Sequence, residues 1–479
     1  MTDDLRAERA ARFLRYLGPD PASWVRPSDT DHDVLVVGGG QAGLTVGFGL
    51  RRAGVARTSV IDAAAPGGTG VWTTIARMRH LRTPKQWPEP ELGFPELSFR
   101  AWYEDAHGPA AYDEIGRIPR LVWAEYVAWL EQALAVPVRH RTRLVSVEPA
   151  ADHLVVRLDV DGVAVTETTR SLVLANGVEG TGGAHLPDFL RALPASLVAH
   201  TGDRIDFAAL AGRVVGVLGA GASALDACGT ALEAGAREVH LFVRRPDLIV
   251  QGPGAVHGAG LGARENFHRL PDADRWRAKA LLGRAGRSCT LESVQRAAAH
   301  PGFRVHLDAG WHDAAVDGDL LRVTAADGEH LLDFAIAGTG YQYDPRTRTD
   351  LAGIADRIAL WGDVHSPPAD LADPGLARFP YLGDGYELTA RDPADAGWAS
   401  RIRVFSAAAG LSFGLPVGDT QGLPTGVPRL VDALARDLYL EDRAVPQEGT
   451  PPAAAPGPAP HRDAYAHAIW SGDPDAELV

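Results

Sequence analysis

Two glycine-rich turns of one design occur in this chain, each between a predicted strand and a predicted helix. The first spans Gly38–Gly43 after the apolar run 33–37, and the second spans Gly219–Ala224 after the run 213–218. In such a turn the first glycine permits the bend, the second admits a pyrophosphate to backbone N–H groups at the helix N-terminus, and the third position packs the helix on the strand. The residues predicted to hold nucleotides are Gly38, Gly40, Gln41, Ala42 and Gly43 in the first turn, and Gly219, Gly221, Ala222, Ser223 and Ala224 in the second. The sequence therefore predicts two dinucleotide-binding βαβ units.

The two units differ in charge at the end of their second strand. Asp62 stands nineteen residues after Gly43, whereas Arg244 and Arg245 begin twenty residues after Ala224. A carboxylate at this position accepts hydrogen bonds from a ribose diol and repels a 2′-phosphate, and paired guanidinium groups favour the 2′-phosphate of NADPH. We therefore expect two different dinucleotides in one chain, as in an enzyme that passes electrons between them.

The composition narrows the class of protein. Of the 479 residues, 46% are hydrophobic and 23% are charged, which is typical of a globular protein, and the net charge of −14 argues against a nucleic-acid partner. The sequence offers neither a secretory signal nor an apolar run of the ~20 residues that a membrane span needs. We expect a cytoplasmic protein that acts on a small molecule.

Cysteine and histidine usage excludes further chemistry. Cys228 and Cys289 are the two cysteines, 61 residues apart, so the chain lacks the C-x-x-C pair of a disulfide reductase and a cysteine zinc cluster. His257, His268 and His365 lack the spacing of metal ligands, and we expect no metal site.

The order of the motifs predicts an α/β fold of two Rossmann-type three-layer dinucleotide-binding domains, with the second inserted into the first. A helix is expected over residues 123–134 and a buried parallel strand over 172–174. The apolar strand 334–337, which meets a glycine turn at Gly340, is expected to resume the first domain. The predicted boundaries are a lead-in with a short amphipathic helix at 1–30, the first domain at 31–205 and 333–445, the second domain at 206–332, and a flexible Pro/Ala/Gly-rich tail at 446–479.

Together these motifs resemble the class B flavin monooxygenases over about residues 30–445. The resemblance rests on both glycine turns, the Gly-Gly-x-Trp-like segment 67–72, the arginine pair, and the element 338–344, which is similar to A-T-G-Y-x-x-D. It implies that FAD occupies the first site and NADPH the second. In that family NADPH reduces FAD, and O₂ then forms a flavin hydroperoxide that delivers one oxygen atom to a nitrogen, a sulfur or a carbonyl carbon.

The resemblance extends to residues outside the turns. Trp72 is expected to cover the flavin, His200 matches the histidine of the family's linking fingerprint, and Gly340 and Thr425 are expected to contact FAD, Thr425 at the start of a helix over 427–440. The basic run 77–85 is expected to place positive charge near the flavin. Thr83, Lys85 and Gln421 are the candidate catalytic residues.

The linking fingerprint is otherwise lost, since Pro194, Ser196 and Arg204 replace its Phe, Gly and aromatic residues. This loss disfavours a Baeyer–Villiger enzyme, and we expect N-hydroxylation of an amine with O₂ as co-substrate. The alternatives are a flavin reductase or oxidase without oxygen insertion, Baeyer–Villiger or S-oxygenation, and a non-enzymatic flavin-based redox sensor.

Overall fold

The computed structural model describes residues 2–87, 90–178, 180, 182–251, 260–286, 288–414, 417–444 and 461–469. Within them the strands are β1 His32–Val37, β2 Thr58–Ile61, β3 Val138–Arg139, β4 Thr142–Pro149, β5 Leu154–Val160, β6 Val163–Leu174, β7 Gly183–Ala184, β8 Val198–His200, β9 Val214–Leu218, β10 Glu238–Phe242, β11 Val250–Gln251, β12 Cys289–Thr290, β13 Phe303–His306, β14 Trp311–Asp317, β15 Leu320–Ala325, β16 Gly328–Leu332, β17 Phe334–Ala337, β18 Tyr341–Gln342 and β19 Ile402–Val404. The helices are α1 Thr2–Leu17, α2 Gln41–Arg52, α3 Phe99–His107, α4 Pro109–Glu114, α5 Arg120–Leu134, α6 Asp188–Arg191, α7 Ala222–Glu233, α8 Leu261–Asn266, α9 Asp272–Ala285, α10 Leu291–Ala298, α11 Trp361–Val364, α12 Ala396–Ala399, α13 Gly410–Phe413 and α14 Leu423–Ala444.

The first sheet has the order β3-β2-β1-β6-β5-β4, and β19 pairs with the end of β6. Strands β1, β2, β3 and β19 run parallel to β6, whereas β4, β5 and the first half of β6 form an antiparallel meander. The predicted strand 172–174 is the buried second half of β6. Its residues are apolar without alternation because a parallel strand is covered on both faces.

The second sheet is entirely parallel, in the order β13-β10-β9-β17-β8. The expectation that the strand 334–337 resumes the first domain is wrong, because it pairs with β9 and β8 as β17. Strand β8, which the predicted boundary at 205 assigned to the first domain, also lies in the second sheet. The chain returns to the first sheet at β19. An apolar strand followed by glycine fits either sheet, and local sequence carries no signal that chooses between them.

The predicted helices at both ends of the first domain are present. The amphipathic N-terminal helix is α1, and its buried Phe13 packs against Phe48 of α2 and Phe94. The aromatic-rich region after the first turn folds as α3 and α4 against α5, with Trp102 in the core. No helix among the described residues is long and apolar enough to span a bilayer. Most of the predicted flexible tail, residues 446–460 and 470–479, lies outside the described residues.

Candidate functional site

The first glycine turn joins β1 to α2 at the carboxyl edge of the first sheet. Gly38 has a φ of +111°, and a Cβ on it would lie 2.5 Å from the Ala175 carbonyl oxygen, so glycine is required. Helix α2 begins at Gln41, and its N-cap residue, Gly40, provides no side-chain acceptor for the first N–H groups. A helix start without a side-chain cap is the arrangement that receives a pyrophosphate in units of this design.

Asp62 follows β2 and lies directly against the first turn. Its Oδ2 accepts the Gly39 N–H at 2.7 Å, and its Oδ1 accepts the Ala64 N–H at 2.7 Å. A carboxylate has about four lone-pair positions, so two remain for the hydroxyls of a ribose. The turn itself therefore fixes the predicted ribose-binding carboxylate in position.

Gln41 connects the first turn to two other parts of the first domain. Its Nε2 donates to the Gly418 carbonyl oxygen at 3.4 Å, and its Oε1 accepts from the Trp123 indole N–H at 3.3 Å. The ring of Trp72 packs edge-on against Trp123 with centroids 6.2 Å apart. The structure thus brings together Gln41, Trp72 and the loop before α14, as expected for the surroundings of one ligand.

Two buried polar atoms near this turn test whether FAD fits. Asn176 Oδ1 and Ser406 Oγ have no hydrogen-bond partner within the described residues, and they follow β6 and β19 at the carboxyl edge of the first sheet. Buried polar atoms are nearly always paired. The ribityl hydroxyls and ring amide groups of FAD would supply such partners, so the residues present fit this cofactor.

The chain after β19 leads into α14, which begins at Leu423, two residues before the predicted start at Thr425. Thr425 lies inside the first helical turn, with its Oγ1 3.5 Å from the Gly422 carbonyl oxygen. Asp419 accepts the Gly422 N–H at 3.1 Å, and burial raises the pKa of this carboxyl to about 6 despite its backbone hydrogen bonds. Gln421 is half-buried between Asp419 and the helix. A carboxyl group that titrates near pH 6 therefore stands at the entrance to α14.

The second glycine turn joins β9 to α7 at the carboxyl edge of the second sheet. Gly219 has a φ of +135°, and a Cβ on it would lie 2.3 Å from the Gly338 carbonyl oxygen. Helix α7 begins at Ala222, after an N-cap residue, Gly221, that also provides no side-chain acceptor. Ala224 contacts Gly338 as well, so the turn after β17 packs directly on the second nucleotide loop. Both predicted turns have the backbone geometry that dinucleotide binding requires.

Gly340 and His200 both lie at this second edge. Gly340 was expected beside FAD in the first domain, but it follows β17, and its carbonyl oxygen accepts the His185 N–H at 2.9 Å. His200 ends β8, and its Nδ1 accepts the Gly202 N–H at 2.9 Å. Burial lowers the pKa of His200, so the ring is neutral and packs edge-on against Tyr341. His200 thus lies in the second sheet with the second glycine turn, and its contact with NADPH stays a prediction.

The structure separates the two members of the arginine pair. Arg244 is exposed after β10, as a phosphate-binding residue needs to be. Arg245 instead donates to the carbonyl oxygens of Arg284 and Ala285 at 3.3 and 3.2 Å. These carbonyls end α9, where a cation stabilises the helix. Both arginines were predicted to favour the 2′-phosphate of NADPH; the structure shows different surroundings for the two, and their contact with a phosphate stays a prediction.

Other cations that the sequence did not reveal lie near Arg244. Burial, and then the positive charges of Arg191, Arg378 and Arg244, lower the pKa of His185. These residues come from α6, from the segment after α11 and from the end of β10, so no sequence spacing joins them. Arg191 and Arg378 therefore add positive charge around His185 to that of Arg244.

Residues 77–82, which we call the bridging segment, pair with the second domain. Arg79 contacts Glu233 at 2.5 Å, and Arg82 contacts the buried Asp226 at 2.7 Å. Arg77 donates to the carbonyl oxygens of Thr201 and Asp203. The expectation that these arginines present free charge to a flavin is wrong, because they fasten the first domain to the second.

The two catalytic candidates after the bridging segment differ in environment. Lys85 donates its Nζ to the carbonyl oxygens of Tyr112 and Asp113 at 2.5 and 3.1 Å, and lies over the Tyr112 ring. These contacts anchor the loop to α4. Thr83 is half-buried beside Arg82.

A cavity of about 290 Å³ separates the bridging segment from α7 and α10 of the second domain. Its lining contains four arginines and two carboxylates. The charged lining residues are Arg79, Arg82, Arg117, Arg296, Asp226 and Glu292. Sequence reasoning missed this cavity, because two domains contribute its walls.

Comparison with known proteins agrees with this architecture. Residues 32–259 match the family model described as pyridine nucleotide-disulphide oxidoreductase. A curated relative, the FAD-dependent urate hydroxylase of Xanthomonas campestris pv. campestris, is 42% identical over 435 residues, which cover 90% of this chain and 92% of the relative.

Solved structures share the fold at low sequence identity. The ornithine hydroxylase of Pseudomonas aeruginosa matches with a TM-score of 0.65 at 17% identity, over 85% of this chain and 99% of that one. The ornithine N-hydroxylase of Kutzneria sp. 744, solved with reduced FAD, NADP⁺ and L-ornithine, matches with a TM-score of 0.62 at 18% identity and the same coverage.

These findings confirm the predicted fold class and enzyme class. The two-domain Rossmann-type architecture is that of flavin-dependent N-hydroxylating monooxygenases. The identity and coverage of the curated relative extend the agreement to the sequence. The chain belongs to the family of FAD-dependent hydroxylases that includes this Xanthomonas enzyme, and it is a flavoprotein monooxygenase.

Proposed function

We propose that this chain is an NADPH- and FAD-dependent monooxygenase that hydroxylates urate or a closely related oxidised purine. The observation that carries the proposal is the pair of glycine turns at the carboxyl edges of two sheets, with Asp62 at one and Arg244 at the other. The 42% identity to a urate hydroxylase over nine-tenths of the chain supports the choice of substrate.

The overall reaction consumes NADPH, a proton, O₂ and substrate, and yields NADP⁺, water and substrate carrying one added oxygen atom. FAD held at the first site would supply the redox chemistry, as the acceptor of the NADPH hydride and the group that activates O₂. The protein binds and orients the two cofactors. Asp62 accepts from the ribose of FAD, and the uncapped starts of α2 and α7 receive the two pyrophosphates.

Arg244 gives the second site its preference for NADPH. Its exposed guanidinium and those of Arg191 and Arg378 all act on the imidazole of His185, so a 2′-phosphate would meet positive charge from more than one element. A charge-assisted hydrogen bond contributes about 1.5–3 kcal/mol, which is a tenfold preference or more.

The cavity between the domains is the candidate substrate pocket. A volume of about 290 Å³ suits a small ligand. Three of the lining arginines are paired with Asp226 or Glu233, whereas Arg117 donates to the carbonyl oxygens of Leu81 and Arg82 and keeps its charge for an anion. Urate is a planar anion at neutral pH, and guanidinium groups bind planar anions through parallel hydrogen bonds.

N-hydroxylation of a primary amine is the second candidate, and the fold shared with ornithine hydroxylases supports it. An ammonium substrate needs a carboxylate partner. Both carboxylates of the cavity are already engaged, Asp226 by Arg82 at 2.7 Å and Glu292 by His80 at 2.6 Å. The charge of the cavity therefore favours urate over an amine.

An isotope experiment tests the function. Purified protein with FAD is supplied with NADPH and ¹⁸O₂ in the presence of urate, ornithine or lysine, and products are measured by mass spectrometry. We expect one ¹⁸O atom in the product from urate, with one NADPH oxidised per product. Labelled hydroxylamine from an amine would establish the second candidate, and complete conversion of O₂ to H₂O₂ with every substrate would contradict both.

A variant tests the pocket. Arg117 lines the cavity and donates to the Leu81 carbonyl oxygen at 3.3 Å. We expect Arg117→Gln to raise the KM for urate about tenfold and to leave the KM for NADPH unchanged. Arg143→Gln, at an exposed position of β4, is the matched control. If Arg117→Gln had the same KM for urate as the control, the cavity would not be the substrate pocket.

A further inference from the structure

Three side chains on the outer face of the second domain meet in a group that the sequence did not reveal. His306 ends β13, Asp327 lies in the turn between β15 and β16, and His330 lies on β16. His306 Nδ1 is 2.6 Å from Asp327 Oδ2, and His330 Nε2 is 3.1 Å from Asp327 Oδ1. The three ligand atoms all lie within 4.8 Å of one another. Imidazole and carboxylate are the ligands that Zn²⁺ takes in proteins.

Packing fixes the two imidazole rings. The buried Phe242 stacks on His306 with centroids 4.4 Å apart at 12°, and its edge-to-face contact with His330 has centroids 4.9 Å apart. Phe242 itself packs edge-on against Trp311. Both histidine rings therefore pack against the buried Phe242 on one side, and their side chains remain about one-fifth exposed to solvent.

His306 is also oriented from its other ring nitrogen. Its Nε2 lies 2.9 Å from His240 Nδ1, and His240 Nε2 lies 3.3 Å from Glu238 Oε2. Histidines that bind metals commonly donate their second N–H to such a partner, which fixes the tautomer. The chain Asp327–His306–His240–Glu238 has this arrangement.

Counting protons along this chain shows what it lacks. Three close contacts join two carboxylates through two imidazoles, and each contact needs one hydrogen between its heavy atoms. Two neutral imidazoles carry two N–H hydrogens. One positive charge is therefore still required, as an additional proton or as a metal ion. When a metal lies between His306 and Asp327, the two remaining contacts receive the two available hydrogens.

We propose that His306, Asp327 and His330 bind one Zn²⁺ ion, with His240 as a positioning residue. Two ligands of a tetrahedral zinc ion lie about 3.4 Å apart, so the two close contacts need to open by less than about 1 Å. Three protein ligands leave the fourth position to water from the exposed side. The ion would link the hairpin of β15 and β16 to β13 at the edge of the second sheet, and this structural role lies beyond the proposed hydroxylase activity.

The test uses tag-free, full-length protein with FAD bound, after treatment with a chelator and buffer exchange. Zinc is titrated in competition with a chromophoric chelator, and Co²⁺ serves as a spectroscopic probe. We expect one Zn²⁺ per chain with a Kd below 1 µM, on the order of other three-ligand sites, and a visible Co²⁺ band. A rise in Tm on addition of Zn²⁺ is the second expected result.

Variants connect the binding to these residues. Asp327→Asn and His330→Gln are expected to weaken Zn²⁺ binding at least 100-fold and to abolish the rise in Tm. His240→Gln is expected to weaken it 10- to 100-fold and to shift the Co²⁺ band. His312→Gln, at an exposed histidine of β14 in the same meander, is the matched control and is expected to bind as the parent does.

Three results would overturn the proposal. They are less than half an equivalent of Zn²⁺ bound to the parent protein, equal affinity in Asp327→Asn and the control, and an unchanged Tm on addition of Zn²⁺. The parent titration decides the question even where a variant fails to fold.

Discussion

The two nucleotide loops share a backbone design and differ in how each accommodates its third position. In the first loop a Cβ on Gly43 would lie 1.7 Å from the Gly38 carbonyl oxygen, so no side chain fits. In the second loop Ala224 occupies the same position, and its methyl group contacts Gly338 of β17's turn. A Cβ on Gly338 would lie 2.6 Å from that methyl group. A glycine is therefore required at this contact in both units. In the first unit it is Gly43 of the loop itself, and in the second it is Gly338, which follows the neighbouring strand β17.

The same contact restricts the residue type that can follow β17. The methyl group of Ala224 requires a glycine at the end of the adjacent strand, and Gly338 provides one at the carboxyl edge of the second sheet. A motif that tolerates alanine thus depends on a residue more than one hundred positions away, which spacing within the motif cannot reveal.

The largest expected effect is that of a substitution at Gly43 in the first nucleotide loop. Gly43→Ala places a methyl group on backbone and is expected to cost more than about 4 kcal/mol, with loss of FAD. Gly338→Ala is expected to cost about 1–3 kcal/mol and to weaken NADPH binding while FAD stays bound. FAD content after purification and the Kd for NADP⁺ measure the two effects.

The control is Ala224→Gly, which removes a buried methyl group from α7 and is expected to cost about 2 kcal/mol through helix propensity and lost packing. It is also expected to restore NADPH binding to Gly338→Ala. Failure of that rescue would contradict the pairing of the two positions.

The second prediction separates the two arginines. Arg244→Ala is expected to raise the KM for NADPH at least tenfold and to leave the KM for NADH nearly unchanged, because only NADPH carries the 2′-phosphate. Arg245→Ala is expected to lower Tm, because the Arg245 guanidinium donates to the last carbonyl oxygens of α9. It is expected to change the KM for NADPH and the KM for NADH by the same factor. If Arg245→Ala instead raised the KM for NADPH and left the KM for NADH unchanged, both Arg244 and Arg245 would bind the 2′-phosphate.

The third and smallest prediction concerns two buried titratable groups, one near each loop. Burial raises the pKa of Asp419 to about 6 and lowers the pKa of His200, so in each case it favours the neutral form of the side chain. An acid with a raised pKa in the folded state contributes stability at low pH that is lost as the pH rises from about 4 through 6. His200 has the opposite effect. Its lowered pKa contributes stability at neutral pH, and this contribution is lost as the pH falls below the pKa of an ordinary histidine.

Asp419→Asn is therefore expected to raise Tm at pH 7 relative to the parent by an amount corresponding to at most about 3 kcal/mol. At pH 4 the two proteins are expected to have the same Tm. Calorimetry at both pH values checks this, and an equal difference at both would show that Asp419 does not titrate between them.

The parts of the fold with local signals were predictable from the sequence. Both glycine turns, the buried strand that ends β6, and the helices α1, α5 and α14 follow from periodicity and turn chemistry, although α14 begins before Thr425. Asp62 and Arg244 could be identified because their distance from each turn is fixed by one βαβ unit.

The rest depends on contacts between distant residues. The bridging segment has a basic sequence, and only the fold shows that Asp226 and Glu233 take up its charge. The same holds for His306 and His330, which come from different sheets and share no ligand spacing. Strands β8 and β17 join the second sheet through pairing with strands that are distant in sequence, and the local sequence pattern does not predict such pairing.

The most direct test of the account measures binding of both cofactors to the same two variants. The account predicts a crossed result. Asp62→Ala is expected to lose FAD on purification and, after reconstitution with excess FAD, to bind NADP⁺ with the Kd of the parent. Arg244→Ala is expected to retain FAD fully and to bind NADP⁺ at least tenfold more weakly. Parallel losses of both cofactors in either variant would contradict the assignment of one dinucleotide to each glycine turn.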